Sequence, residues 1–277
     1  MKFNLTVLSI CVLSTVSSAA LAQSGFVDNS ERTLRCDEES NRDFGRFQSC
    51  EVREQSLASS ASLHIDAGPN GGISVKGWSQ PGVLVRSKVA AWSDSPSDAQ
   101  ALRSAVQVHA ASGEVTAYGP KTEDDRGWSV SYEVFVPHAT NLDLQTTNGG
   151  LHVTDVEGTM NLHAVNGGLH LTRLRGAVTA ATVNGGVHVD LMDDHWEGSG
   201  LEASSTNGGV HVNVPQPYSA RFEGSTVNGS IRSDFAELPL TREREHSRPQ
   251  SVSGALGGGG AFIHASTING GLVFARQ

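Results

Sequence analysis

The sequence predicts an all-β protein built as a β-solenoid, a β-helix-like stack of short two-strand repeats, and three observations predict it. Asn-Gly recurs at Asn70, Asn148, Asn166, Asn184, Asn207, Asn228 and Asn269, continuing as Asn-Gly-Gly everywhere except at Asn228. The central spacings are 18, 18, 23 and 21 residues, and the match runs past the turn: Leu151 and Leu169, Val153 and Leu171, Val156 and Leu174, Gly158 and Gly176, and Met160 and Val178 all lie 18 apart. A fixed period of this kind marks supersecondary units that stack on their neighbours. Finally, 31 glycines with only 6% aromatic residues point to many tight turns rather than to a helix bundle.

The chain opens with Lys2, an apolar run from Leu5 to Val16 and a small-residue end at Ala20-Leu21-Ala22. That is the pattern of a cleaved secretory signal over residues 1–22, with the mature chain starting at Gln23. Cys11 lies inside the apolar run, directly after Ile10, and does not read as a lipid-attachment site. No later segment approaches the ~20 consecutive apolar residues of a membrane-spanning helix, so the chain reads as exported and not membrane-spanning. Residues 23–56 are charged and sparse in apolar groups, and they read as a tail or small appendage ahead of a repeat domain over 57–277. They hold Cys36 and Cys50, an even pair in a chain bound for an oxidising compartment, for which a disulfide is the default and two free thiols the alternative. A bridge closing a loop of this length contributes ~3 kcal/mol.

From Leu63 to Val89 the sequence reads as short strands with a turn at residues 69–72. The clearest helical signal follows near 96–106, where Ser97 with Gln100 resembles a capping box ahead of Ala101, Leu102 and Val106. Strands resume at 114–118 and 128–136. Inside the repeats, apolar residues fall three and five positions after each Asn (Val187 and Val189, Val210 and Val212) and six and four before it (Leu142 and Leu144). Period two means strands with one face buried. Each unit therefore reads as two strands, with one turn at Asn-Gly-Gly and another near Gly158 or Gly176.

Asn-Gly between alternating runs is also a hairpin signal, which leaves an antiparallel meander or sandwich as the alternative. Identical side chains at constant unit length favour the stack, with equivalent residues ~4.8 Å apart. The turn Asn and Gly residues read as structural, since both tolerate positive φ and an Asn can cap backbone groups of the next coil. Residues 241–253, TREREHSRPQSVS, form a polar insertion read as a loop.

Taken in order, "GGISVKGW", "VSYEVFVP", "TNGGLHV", "VNGGVHV", "TVNGSIRSDF" and the closing "GALGGGGAFIHASTINGGLVFA" resemble the toastrack domain, also called the putative-adhesin domain, of bacterial envelope proteins. The resemblance covers roughly residues 57–277. It implies a single all-β domain of β-helix character, exported or envelope-associated, and supplies no catalytic residues to carry over. Residues 23–56 fall outside it.

Among candidate chemistries, the histidines are the sharpest. His152, His170, His188 and His211 each stand four residues after their Asn, between two apolar positions. If the apolar neighbours point inward, the imidazoles form an outward ladder, and rings ~4.8 Å apart could share Zn²⁺ or Cu²⁺. No carboxylate or cysteine recurs in register to complete a coordination shell, so a solvated stack competes with the metal site. Stacked imidazoles repel when protonated, which predicts pKa values below ~6.5 and a face that changes below about pH 6. Asp193, Asp194, His195 and Trp196 lie in the enlargement of the Asn184 unit, where an acidic pair beside an exposed aromatic would suit a sugar or a cation. The Gly257–Gly260 run lacks a following Lys-Ser or Lys-Thr and reads as a turn rather than a phosphate loop.

Neither a G-x-S-x-G elbow nor an H-E-x-x-H helix occurs. The net charge of −9, with four lysines and sixteen scattered arginines, argues against nucleic-acid binding. The favoured reading is an exported, non-enzymatic repeat scaffold without a cofactor. It would present a flat polar face to an envelope or surface protein, a glycan or another copy of itself, in the periplasm or at the cell surface. A β-helix carbohydrate-active enzyme and a histidine-ladder metal surface are the alternatives.

Overall fold

Alternating apolar residues make strands that are greasy on one side, and pairing two such sheets face to face buries both greasy sides in one core. The computed structural model describes residues 33–36, 42–43, 46–111, 113–123, 125–241 and 250–277, so the expected signal segment over 1–22, Cys11 and residues 242–249 lie outside the described residues. Within them the strands form two eleven-stranded sheets.

Seven coils build the stack, each giving one strand to each sheet. In chain order they are Ser62–Asp66 with Ile73–Trp78, Asn141–Asn148 with Leu151–Thr154, Glu157–Asn166 with Leu169–Thr172, Arg175–Asn184 with Val187–Asp190, Gly200–Asn207 with Val210–Val214, Ala220–Asn228 with Ile231–Ser233, and Phe262–Asn269 with Leu272–Arg276. We number them one to seven. Neighbouring coils pair in parallel, with Leu151 beside Leu169, Val187 and Val210 in the first sheet and Met160 beside Val178 and Leu201 in the second. The 18-residue period is thus the strand register itself, and the antiparallel alternative does not describe the coils. The inward residues of these rows, such as Leu151, Leu169, Met160 and Phe274, are fully buried.

The coils do not stack in chain order. Coil five pairs with coil seven, and coil seven pairs with coil six, so the last coil of the chain lies between its two predecessors. Beyond coil six, Gln250–Leu256 adds an antiparallel strand along Ala220–Asn228, and Leu240–Thr241 pairs with that strand. The polar insertion is therefore partly a capping strand: Val252 turns inward and is buried while serines face out.

Three further details differ from the sequence expectation. The second turn of each unit falls at Asp155 and Arg173, which take left-handed φ of 60° and 52° just before the buried corner residues Val156 and Leu174. Gly158 and Gly176 instead begin the following strands. The helix spans Pro96–Ala105, and its N-cap is Ser95, which accepts from the Asp98 N–H at 3.2 Å, rather than Ser97. The helix packs Ala99 and Leu102 into the N-terminal end of the stack.

Residues 46–58 are also more than an appendage. Arg46–Ala58 pairs antiparallel with Gly82–Ser93 along its whole length, and that strand pairs with Gly127–Pro137, which lies parallel to coil one. The sparse hydrophobicity of this strand suits a sheet-edge position. Cys36 and Cys50 form a disulfide with Cα atoms 5.8 Å apart. Nearby, Glu133 accepts from the N–H and hydroxyl of Thr33, both at 2.7 Å, and pairs with the buried Arg86 guanidinium. Burial works against the Glu133 charge, but the Thr33 and Arg86 contacts outweigh it and hold the carboxyl below its ordinary range.

Candidate functional site: the laddered outer face

Each Asn-Gly-Gly turn sits directly over the turn of the next coil. The Asn148 side-chain amide donates to Asn70 at 3.2 Å, Asn166 to Asn148 at 2.8 Å, Asn184 to Asn166 at 2.8 Å, Asn207 to Asn184 at 2.9 Å, Asn269 to Asn207 at 2.8 Å and Asn228 to Asn269 at 2.9 Å. Asn70 is half-buried and the others are exposed; they bond one another along the stack and form a one-directional amide ladder, and the Asn148 amide also caps the Pro69 carbonyl at 2.7 Å. The glycines of these turns are not at positive φ either. The first glycine is required by close approach: a Cβ on Gly149, Gly167, Gly185, Gly208, Gly229 or Gly270 would come under 3.0 Å from a carbonyl of the adjacent turn. The second glycine has more room, since a Cβ on Gly150, Gly168 or Gly186 would lie 3.3 Å from its nearest neighbour. In coil six that second place is taken by Ser230.

Two residues after the turn, the strand register brings the histidines together. His152 pairs with His170, His170 with His188 and His188 with His211. Their ring centroids lie 4.8, 5.8 and 5.1 Å apart, with the first and last pairs stacked. Ser74 continues the row at one end, and Val273 and then Arg232 continue it at the other. Beside the imidazoles runs a shallow groove of about 340 Å³, floored by Gly168, Gly186 and Gly209.

Burial of the imidazole, and then repulsion from His170, hold His152 below its ordinary pKa of 6.5. The next outward row adds polar partners that the sequence reading did not single out. Asn213 donates to Asp190 at 2.7 Å, its amide lies 3.1 Å from Nε2 of His188, and its oxygen lies 2.8 Å from Nε2 of His211. These contacts fit a His188 protonated on Nδ1 and a His211 protonated on Nε2. Asp190 and Asn213 stand two residues after their histidines, an offset that places them on the same face.

Stacked rings direct their nitrogens along roughly parallel planes instead of toward a common point, which is unsuited to a tetrahedral ion. Among the described residues, no group of three or more His, Cys, Asp or Glu side chains is placed to hold a metal. The loop carrying Asp193, Asp194, His195 and Trp196 is arranged differently from its sequence expectation. Trp196 is buried, with its indole N–H donating to the Gly176 carbonyl at 3.0 Å, so it is an anchor and not an exposed platform. Asp193 accepts from Arg175 at 2.7 Å, and Asp194 lies 2.6 Å from His195 Nδ1. The hydrogen bond from His195 lowers the Asp194 pKa, and the same bond raises that of His195.

Two sheets of parallel, in-register coils with laddered outer faces define a β-solenoid-like scaffold. The chain belongs to the Toastrack DUF4097 family, whose model matches residues 58–244. No curated protein matches the chain. Among solved structures it is similar to a putative cell adhesion protein from Clostridium sporogenes, at 9% identity over 83% of this chain and 100% of that chain, with a TM-score of 0.46. It is also similar to a putative adhesin from Bacteroides fragilis, at 14% identity over 82% of this chain and 97% of that chain (TM-score 0.42). A putative adhesin from Parabacteroides distasonis is similar at 9% identity over 81% and 97% of the two chains (TM-score 0.36). No helix among the described residues is long and apolar enough to cross a membrane.

Proposed function

We propose that the protein is an exported, non-enzymatic scaffold for adhesion, or for contact with a protein or glycan of the cell envelope, and that the histidine-bearing sheet is its contact face. The observation that carries this reading is the four-imidazole row with its groove, held on strands whose positions are set by main-chain pairing on both sides. A rigid sheet presents a fixed array of donors and acceptors at little ordering cost, which is what a recognition surface needs. The secretory pattern of residues 1–22 and the disulfide support work outside the cytoplasm, in the periplasm or at the cell surface. Site-specific photocrosslinking in intact cells tests the reading. A crosslinker replacing His170 is expected to capture an envelope component that one replacing Gln100, exposed on the helix, does not. Equal capture at both sites, or none at His170, would contradict it.

A further inference from the structure

The second sheet carries an outward feature that the histidine face does not explain. The row seven residues before each turn Asn is small or polar in the middle coils: Thr159, Ala177 and Gly200. In coil seven the same row holds Phe262, which stands next to Gly200 on one side and Arg221 on the other and is 42% exposed. A large ring beside two residues with almost no side chain creates a step on an otherwise flat sheet. That step walls a groove of about 390 Å³ floored by Ala177 and Gly200.

The next outward row along the groove supplies polar groups. Thr179, Glu202, His264 and Glu223 are consecutive in the strand register. The His264 ring lies parallel to that of Phe262, with centroids 6.5 Å apart. Arg221 is held at the far side by donation from Nε to the Gly260 carbonyl at 3.2 Å. An exposed aromatic ring on a flat, rigid surface offers an apolar plane, and the adjoining carboxylate, hydroxyl and imidazole offer acceptors and donors at its edge. A lone exposed apolar residue needs no explanation. A ring forming the wall of a groove, within reach of a row of hydrogen-bonding groups, matches a ligand with one apolar face and hydroxyls around its rim. A pyranose has that shape, since its axial C–H bonds make a flat apolar patch while its hydroxyls radiate outward.

We propose that this ledge is a glycan-binding subsite, taking a neutral pyranose unit by stacking on Phe262 and by hydrogen bonds to Glu202, Thr179 and His264. The proposal goes beyond the histidine-face reading: it lies on the opposite sheet from the imidazole row, so each fails separately. Calorimetric titration of the purified chain with cellohexaose and with chitohexaose at pH 7 tests it, alongside thermal melts to verify folding. At least one hexasaccharide is expected to bind with a Kd of about 1 mM or tighter. Phe262→Ala should weaken binding by about tenfold or more, Phe262→Tyr should retain it, and Gln100→Ala, on the helix, should leave it unchanged. Failure of both sugars to bind, or binding by folded Phe262→Ala equal to the parent, overturns the subsite.

Discussion

Gly167 and Gly168 stand side by side in one turn and carry different constraints. A Cβ on Gly167 would run into the Gly149 carbonyl, a backbone atom that can move only by shifting the neighbouring coil, whereas one on Gly168 would sit 3.3 Å from the Gly186 carbonyl. Gly167→Ala is therefore expected to destabilise by about 3 kcal/mol and Gly168→Ala by less than about 1 kcal/mol, as read by urea unfolding. Equal costs would mean that the turns do not approach this closely. A second prediction comes from the row two residues before each turn. Thr146, Thr182, Ser205, Thr267 and Thr226 are buried, and each donates its hydroxyl to the first-glycine carbonyl of the adjacent turn, at 2.6 to 3.0 Å. Ala164 occupies that place in coil three and makes no such bond. Ala164→Thr should stabilise the protein by about 1 kcal/mol, seen as a raised Tm. A lowered Tm would show that the methyl group does not fit. The glycine requirement was legible in the sequence as an invariant Asn-Gly, but its cause was not. The motif is equally compatible with positive φ and with close approach, and only the neighbouring turn distinguishes them.

At the scale of elements, the histidine ladder follows from register: a side chain repeated every 18 residues on parallel strands must stack on itself. For His152 the pKa is lowered by burial first and by His170 second. A histidine held below its unfolded pKa stabilises the fold above about pH 6.5, and that contribution is lost as pH falls through the lowered value. An NMR titration should place the His152 midpoint below 6.5, and His170→Ala should move it only partway back because the burial remains. A midpoint at the ordinary value in the parent protein would remove this link between the ladder and pH. The coil strands were legible because period two and period 18 coincide in them. The strand Gln250–Leu256 was not, since its outward Ser251 and Ser253 give a polar stretch that reads as a loop until Val252 is seen to face the core. Trp196 shows the converse, because a Trp amid acidic residues reads as exposed, and only the Gly176 carbonyl waiting beneath it reveals burial.

For the whole molecule, the repeat predicts a stack but cannot order it. Every Asn-Gly-Gly coil presents the same apolar rows and the same ladder groups, so coil seven can lie on coil five or coil six without any local signal changing. Its place between them ties the strands of coil seven into the interior of the stack, while the capping strand pairs along Ala220–Asn228 of coil six in the second sheet, and Arg46–Ala58, Gly82–Ser93 and Gly127–Pro137, with the disulfide, extend the first sheet beyond coil one. Capping of this kind protects strand edges that would otherwise template further pairing. Paired cysteines test the place of coil seven directly. His211 and Val273 are register neighbours, as are Val273 and Arg232, whereas His211 and Arg232 are separated by a whole coil. Neighbouring strands lie ~4.8 Å apart, within disulfide reach, and second neighbours about twice that, beyond it. Under mild oxidation, His211→Cys with Val273→Cys is expected to crosslink, and His211→Cys with Arg232→Cys is not. Efficient bridging of the second pair and not the first would mean that the coils stack in chain order, contradicting the interleaved scaffold.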